Sequence, residues 1–262
     1  MNKRIPAVLL TLILALASLA SAQPAAEHIR MGDEAYAALD DQKALDHYLE
    51  ALKAEPNNSE ALWKASRAYV DLADLIKAAN KDDENRKMKM YTEATSLARK
   101  AVAYGPDSTW THFQLAAANG KRLLMLGKKE QIDASKQVRA EIDKALALDA
   151  SNHLAYHALG RWHRRMAEIG GAKRFFGGLI YGSIPKGSFE ESEKNLLKAV
   201  ELAPDYINHH LELGRTYVAL DKFDLATEEF QKCLDLPKQT SKDGVLKEEA
   251  QEELNKLKAR RK

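Results

Sequence analysis

Three arginines, Arg67, Arg161 and Arg215, each stand directly after a pair that ends in a small residue: Ala65-Ser66, Leu159-Gly160 and Leu213-Gly214. A guanidinium fork grips a carboxylate or phosphate through two parallel N–H···O bonds, so three forks at one recurring station build a ladder suited to anions. On helices, positions one or two turns along the same face bring in Trp63, Trp110, Phe113, His157 and Arg164. That wall of aromatic faces and positive charge fits an anionic or amphipathic ligand, either the acidic end of a peptide or an acidic lipid-like molecule. The competing use of these arginines is structural: pairing with Asp71, Glu60 or Glu212 would only hold stacked helices together.

A second unusual stretch runs from Ala172 to Gly182 and contains Phe175, Phe176, Leu179, Ile180 and Tyr181 among three glycines. Its glycines loosen the backbone while its bulky apolar side chains need cover, a combination that suits a lid or a membrane contact. Lys173 and Arg174 beside the phenylalanines would suit an anionic bilayer surface. The alternative is a short helix that tucks these side chains into the body of the protein.

Catalytic patterns are absent. The sequence has no GxSxG, no GxxxxGK[ST] and no GxGxxG after a strand, so no catalytic residue and no cofactor are expected, and the chain reads as a non-enzyme. His153 and His157 are spaced four apart on one helical face, with His163 further on, but no HExxH accompanies them and no metal is expected. The single cysteine, Cys233, excludes an internal disulfide framework, so stability has to come from packing. Of 40 basic residues two, Lys3 and Arg4, fall in a targeting segment, and the rest match the 38 acidic ones. A balanced chain of this kind lacks the basic excess that nucleic-acid binding needs.

The elements that must position the ladder follow from internal repeats. A helix-turn-helix unit of about 34 residues, with Leu-Gly and Tyr positions on its first helix and Ala, Phe and Pro on its second, is the tetratricopeptide pattern. One copy reads His210, Leu213-Gly214, Tyr217, Ala226, Phe230; another reads His28, Met31-Gly32, Ala35, Ala44, Tyr48, Ala51, Pro56. Between them the same marks recur with the two helices pushed apart: Ala65-Ser66 with Ala94, Ala98 and Pro106, then Leu115-Ala116 with Val138, Ile142 and Ala145, then Leu159-Gly160 with Ser192, Leu196 and Pro204. Five units result, at about 25–58, 59–108, 109–152, 153–206 and 207–240, with a capping helix at 241–261. The fold class is therefore all-α, a tetratricopeptide-type superhelix in which stacking supplies the core that no unit can bury alone. Residues 23–262 form a single repeat domain.

Several of these residues together resemble the regulator of microtubule dynamics family, a divergent set of tetratricopeptide proteins. The resemblance rests on Ala61-Leu62-Trp63-Lys64-Ala65-Ser66-Arg67-Ala68, on Ile142-Asp143-Lys144-Ala145-Leu146, and on Ala158-Leu159-Gly160-Arg161-Trp162 followed by an insertion ending in Pro185 and Phe189. It covers nearly all of residues 27–257. The resemblance implies association with microtubules or organelle membranes, and in some members lipid handling at membrane contacts.

The N-terminus departs from that family. Lys3 and Arg4, an apolar run from Ala7 to Ala20, and Ala20-Ser21-Ala22 before Gln23 have the layout of a secretory signal peptide, residues 1–22, cleaved after Ala22. The apolar run is shorter than the roughly 20 residues that span a bilayer. The expectation is an exported, periplasmic or secreted, soluble binding protein or scaffold that presents a concave groove to a peptide or protein partner, with a carrier or sensor of an acidic lipid-like ligand as the alternative.

Overall fold

The capping residues that begin the helices are written into the turns between them. Asp40, Asn58, Asn80, Asn152 and Ser188 each accept, through the side chain, a hydrogen bond from the backbone N–H three residues on. Each removes one of the unpaired donors at a helix start. In the computed structural model, which describes residues 24–260, they help to delimit twelve helices. The segment read as a signal peptide lies outside the described residues.

The helices are α1 (24–37), α2 (Asp41–Ala54), α3 (Ser59–Leu75), α4 (Lys81–Tyr104), α5 (Thr109–Leu123), α6 (Lys128–Leu148), α7 (His153–Ala167), α8 (Gly171–Tyr181), α9 (Phe189–Leu202), α10 (Ile207–Ala219), α11 (Phe223–Asp235) and α12 (Asp243–Arg260). Within units two to five the first helix packs on the second as α3 on α4, α5 on α6, α7 on α9 and α10 on α11. First helices also touch one another in series, α3 to α5 to α7 to α10, which makes them the inner wall of the superhelix. The two regular units share their internal turn: Leu39 and Asp221 both adopt positive φ, at 64° and 57°, closing α1 and α10 one residue before the N-cap of the next helix.

Small residues set how closely paired helices approach. A Cβ on Gly32 would clash with the edge of the Tyr48 ring, one on Gly214 would lie 2.5 Å from the ring of Phe230, and one on Gly160 would lie 2.6 Å from Leu196. Tyr48, Phe230 and Leu196 are fully buried in those seats. The interior is thus a row of local cores, each shared between neighbouring units, as repeat stacking requires.

Repeat symmetry extends to polar groups. His112 on α5 bonds the Pro106 carbonyl at 2.8 Å and Glu141 at 2.5 Å, and His210 on α10 bonds the Pro204 carbonyl at 2.6 Å and Glu229 at 2.6 Å. One histidine therefore ties the preceding turn to the following helix in units three and five. Burial would raise the Glu229 carboxyl, but His210 and Lys232 outweigh it and lower the pKa.

The lengthened units differ in how they use their extra residues. In units two and three the second helices, α4 and α6, begin early and overhang the turn. In unit four the insertion forms α8, bounded by Gly170 and Gly182 in the left-handed region at φ 68° and 83°, and it touches α6. Helix α12 packs on α10 and α11 with Ala250, Leu254 and Leu257 buried.

Candidate functional site

The inner wall of first helices lines a cavity of about 1080 Å³ that is open to solvent on one side and slightly exceeds the roughly 300–1,000 Å³ of small-molecule pockets. Val70, Leu123, Val138, Trp162 and Met166 give it apolar surface, and Phe113 adds an aromatic face. Trp63 and Trp110 also line it, stacked with ring centres 5.8 Å apart and planes 19° from parallel, and Trp110 stays 37% exposed.

The arginine ladder divides in two. Arg67 lies in the wall with its guanidinium carbon 3.6 Å from the Tyr36 ring centre and 5.1 Å from that of Trp63. It donates to the Tyr48 hydroxyl at 3.3 Å, its Nε is buried without a partner, and among the described residues it has no ion pair. Aromatic faces therefore hold this cation without a paired carboxylate.

Arg161, Arg164 and Arg215 converge instead on one buried carboxylate, Glu212. Arg161 Nε lies 3.4 Å from it, Arg215 donates at 3.2 Å, and Arg164 forms the shortest contact of the three. Burial alone would raise the Glu212 carboxyl; the three guanidinium groups outweigh it and hold its pKa well below the ordinary value. Arg164 also pairs with Glu168 at 2.6 Å, and Arg215 with Glu249 of α12 at 2.7 Å. Of these three only Arg161 reaches the cavity. Arg215 is turned away because α12 occupies the place where a sixth unit would stack.

Two cations that the repeat rule does not mark join the wall. Arg165 and Lys173 line the cavity, and among the described residues neither side chain has a hydrogen bond or an ion pair. Burial, then the neighbouring Arg164 and Arg161, lower the pKa of Arg165, the signature of a cation crowded by its own sign. The carboxylates of the wall are Asp205 and two already engaged, Asp71 with Lys242 and Glu168 with Arg164.

His157 lines the cavity as one end of a chain. Its Nδ1 is 3.0 Å from Nδ1 of His209, whose Nε2 is 2.8 Å from Nδ1 of His153. The two nitrogens of His209 face different partners, so the three rings do not share a point. No group of three or more potential ligands among the described residues is arranged to hold a metal ion. Burial first, then Arg161, pushes the His157 imidazolium down to about 3; burial likewise lowers His209 and His153. The chain of rings is neutral at ordinary pH.

The remaining side of the cavity is closed by the segment leading into α12. Gln239, Thr240 and Lys242 belong to the wall. Lys242 lies 2.6 Å from Asp71 and 3.6 Å from Asp74, and Asp74 also takes a hydrogen bond from Lys121 at 2.6 Å. Burial would raise Asp74, but Lys121 and Lys242 outweigh it and hold it at about 2. Nothing in the repeat pattern signals this strap; the positions of Lys242 and Lys121 follow only from how far the superhelix turns.

The insertion stands outside this chamber apart from Lys173. Phe175, Phe176, Leu179 and Ile180 are 65%, 63%, 72% and 71% exposed, and α8 ends at Tyr181. The short-helix expectation holds for the backbone; the apolar side chains point outward rather than into the superhelix. Cys233 is fully buried, and burial pushes its thiol up to about 12.

The family model described as regulator of microtubule dynamics protein 1-3 matches residues 28–258. The chain is 27% identical to regulator of microtubule dynamics protein 1 of Mus musculus over 204 residues, covering 78% of this chain and 66% of that protein. It is 25% identical to regulator of microtubule dynamics protein 2 of Homo sapiens over 200 residues, covering 76% of this chain and 46% of that one. The chain thus spans less than two thirds of the length of these relatives. Among solved structures, a thermophilic TPR protein of Thermus thermophilus superposes with a TM-score of 0.62 at 17% identity, covering 87% of this chain and 97% of that one. Pseudomonas aeruginosa pilF superposes at 0.51 with 11% identity, covering 92% and 89%. At those identities the two structures show the fold alone, an all-helical TPR superhelix.

Proposed function

This chain belongs to the regulator of microtubule dynamics family, and from that premise we propose that it is a non-catalytic binding protein whose inner cavity takes the acidic end of an amphipathic ligand. The observation that carries the reading is the set of cations without ion pairs that line an apolar groove: half-buried Arg67 on its aromatic seat, and the more exposed Arg165 and Lys173. Cations that no carboxylate of the wall pairs with can take an anion through charge-assisted hydrogen bonds, and the apolar wall gives an attached chain its cover. Arg161 contributes as the rung of the Glu212 cluster that faces inward.

A scaffold that grips a peptide or protein partner is the second reading. It is favoured by the stacked Trp63–Trp110 pair, because flat aromatic anchors with one exposed edge are common at protein contacts. Microtubule association, which the relatives' names state of those proteins, would need this chain to share their compartment. We read residues 1–22 as a cleaved export signal, which places the mature protein outside the cytoplasm; N-terminal sequencing that begins at Gln23 would support this, and an intact Met1 would favour the cytoskeletal reading.

Titration of the purified protein with a long-chain fatty acid, followed through tryptophan fluorescence, tests the proposal. Trp63 and Trp110 should respond in a saturable way, and Arg67→Ala with Arg165→Ala should weaken binding by roughly tenfold or more, the worth of one or two charge-assisted hydrogen bonds. An affinity that the double variant leaves unchanged would refute the ligand assignment.

A further inference from the structure

Helix α8 has its polarity reversed. The side that meets the protein carries Arg174, Gly177 and Gly178, all half-buried, while Phe175, Phe176, Leu179 and Ile180 form one stripe facing solvent. The inner face is fixed: Arg174 donates to the carbonyls of Pro185 and Met166, and a Cβ on Gly177 would come within 2.9 Å of Ile184. Turning the helix to bury its bulky side would break those bonds. A helix whose large apolar residues point outward by construction, rather than by lack of packing, is built to meet another apolar phase.

The charge around it selects among occupants. From Ile169 to Phe189 the chain has Lys173, Arg174 and Lys186 and not one acidic residue, although acidic residues equal basic ones over the rest of the chain to within a few charges. A protein partner would be matched by mixed charge, whereas an apolar stripe whose own helix carries only the cations Lys173 and Arg174 matches acyl chains beneath anionic headgroups. Eleven residues are too few to cross a bilayer but enough to lie in its interface. No helix among the described residues is long and apolar enough to cross a membrane, so contact by this element is peripheral.

We propose that α8 is a membrane-docking helix that inserts Phe175, Phe176, Leu179 and Ile180 into an anionic lipid surface, with Lys173 and Lys186 at headgroup level. Lys173 and the adjoining Met166 and Ile169 also line the cavity, so docking would set the mouth of the chamber against the bilayer. The inference stands apart from the cavity ligand, since it rests on the outward stripe and the charges beside it.

Flotation of the purified protein with phosphatidylcholine vesicles, with and without phosphatidylserine, tests it. Binding should need phosphatidylserine, and Phe175→Ser with Phe176→Ser should reduce the bound fraction by roughly tenfold or more while helicity and melting temperature stay unchanged. Leu179→Ser with Ile180→Ser, the second pair on the same stripe, should behave alike. Failure of the parent protein to float, equal flotation on phosphatidylcholine alone, or undiminished flotation of both variants would each overturn the proposal. So would unfolding of both variants, which would make the stripe a packing surface.

Discussion

The Lys242 ammonium sits 2.6 Å from the Asp71 carboxylate, and this one contact ties the segment before the last helix to the inner helix of the second unit. Asp74 stands 3.6 Å away as a second carboxylate, and the adjacent Ser241 hydroxyl donates to Asp41, two hundred residues earlier in the chain. Burial would lower the Lys242 pKa, yet Asp71 and Asp74 outweigh it and raise it well above the ordinary value. A TPR array that could have stayed open is latched into a chamber.

Removing the latch should cost stability and free the strap. Lys242→Ala leaves Asp71 with only the Tyr36 hydroxyl among its close partners, and an uncompensated buried carboxylate costs about 3 kcal/mol. Urea denaturation measures the loss. Hydrogen exchange should speed up over residues 237–249 more than elsewhere; unchanged protection there would mean that α12 alone holds the segment.

Glu212 should be the least replaceable acidic residue. Glu212→Gln keeps the shape and removes the charge that neutralises Arg161, Arg164 and Arg215, so a destabilisation of about 3 kcal/mol or more is expected. The same change at Glu60, which pairs at 2.6 Å with Lys64 from a half-exposed position, should cost under about 1 kcal/mol. Similar midpoints for the two variants would contradict the three-arginine account.

Acid should weaken the fold before the carboxylates titrate. His157, His209 and His153 all have pKa values lowered from 6.5 in the folded chain, so the unfolded state binds more protons once the pH drops below that value. The stability they contribute is complete above about pH 6.5 and is lost as the pH falls toward the folded values, by up to about 1.4 kcal/mol per pH unit for each. Urea midpoints should therefore fall steadily from about pH 7 to about pH 5, where most carboxylates are still ionised. His157→Gln should flatten part of that slope, and an equal slope in the variant would show that other groups set it.

Much of this was legible in the sequence because packing rules act locally. The seats of Tyr48 on Gly32, Leu196 on Gly160 and Phe230 on Gly214 are the small-to-large pairs that mark the repeat, and they join the paired helices the pattern points to. The same reading offered Asp71, Glu60 or Glu212 as partners of the arginines; Glu212 is one, while Asp71 and Glu60 pair with Lys242 and Lys64. What escaped it is long-range. The closure through Lys242 and Asp71 depends on the accumulated turn of the superhelix, and Arg165 lines the cavity from a position the repeat pattern does not mark. The bond from His209 to His157 joins two helices whose relative register no local pattern encodes.

Glycines in helices separate contact from propensity. Gly214→Ala should destabilise by about 1–3 kcal/mol, because its Cβ meets the fully buried Phe230 ring. Gly120→Ala, in α5 with nothing within 4 Å of the added carbon, should stabilise by about 0.5–1 kcal/mol. Thermal melts of the two proteins should move in opposite directions.

The binding role of the chamber is decided most directly by what the protein carries. Mass spectrometry of an organic extract of the purified mature chain should find an acidic amphiphile in near-stoichiometric amount, and markedly less of it from Arg67→Ala with Arg165→Ala. An extract empty of such a molecule, from a protein that also fails to take up an added fatty acid, would contradict the account and leave the groove to a peptide or protein partner.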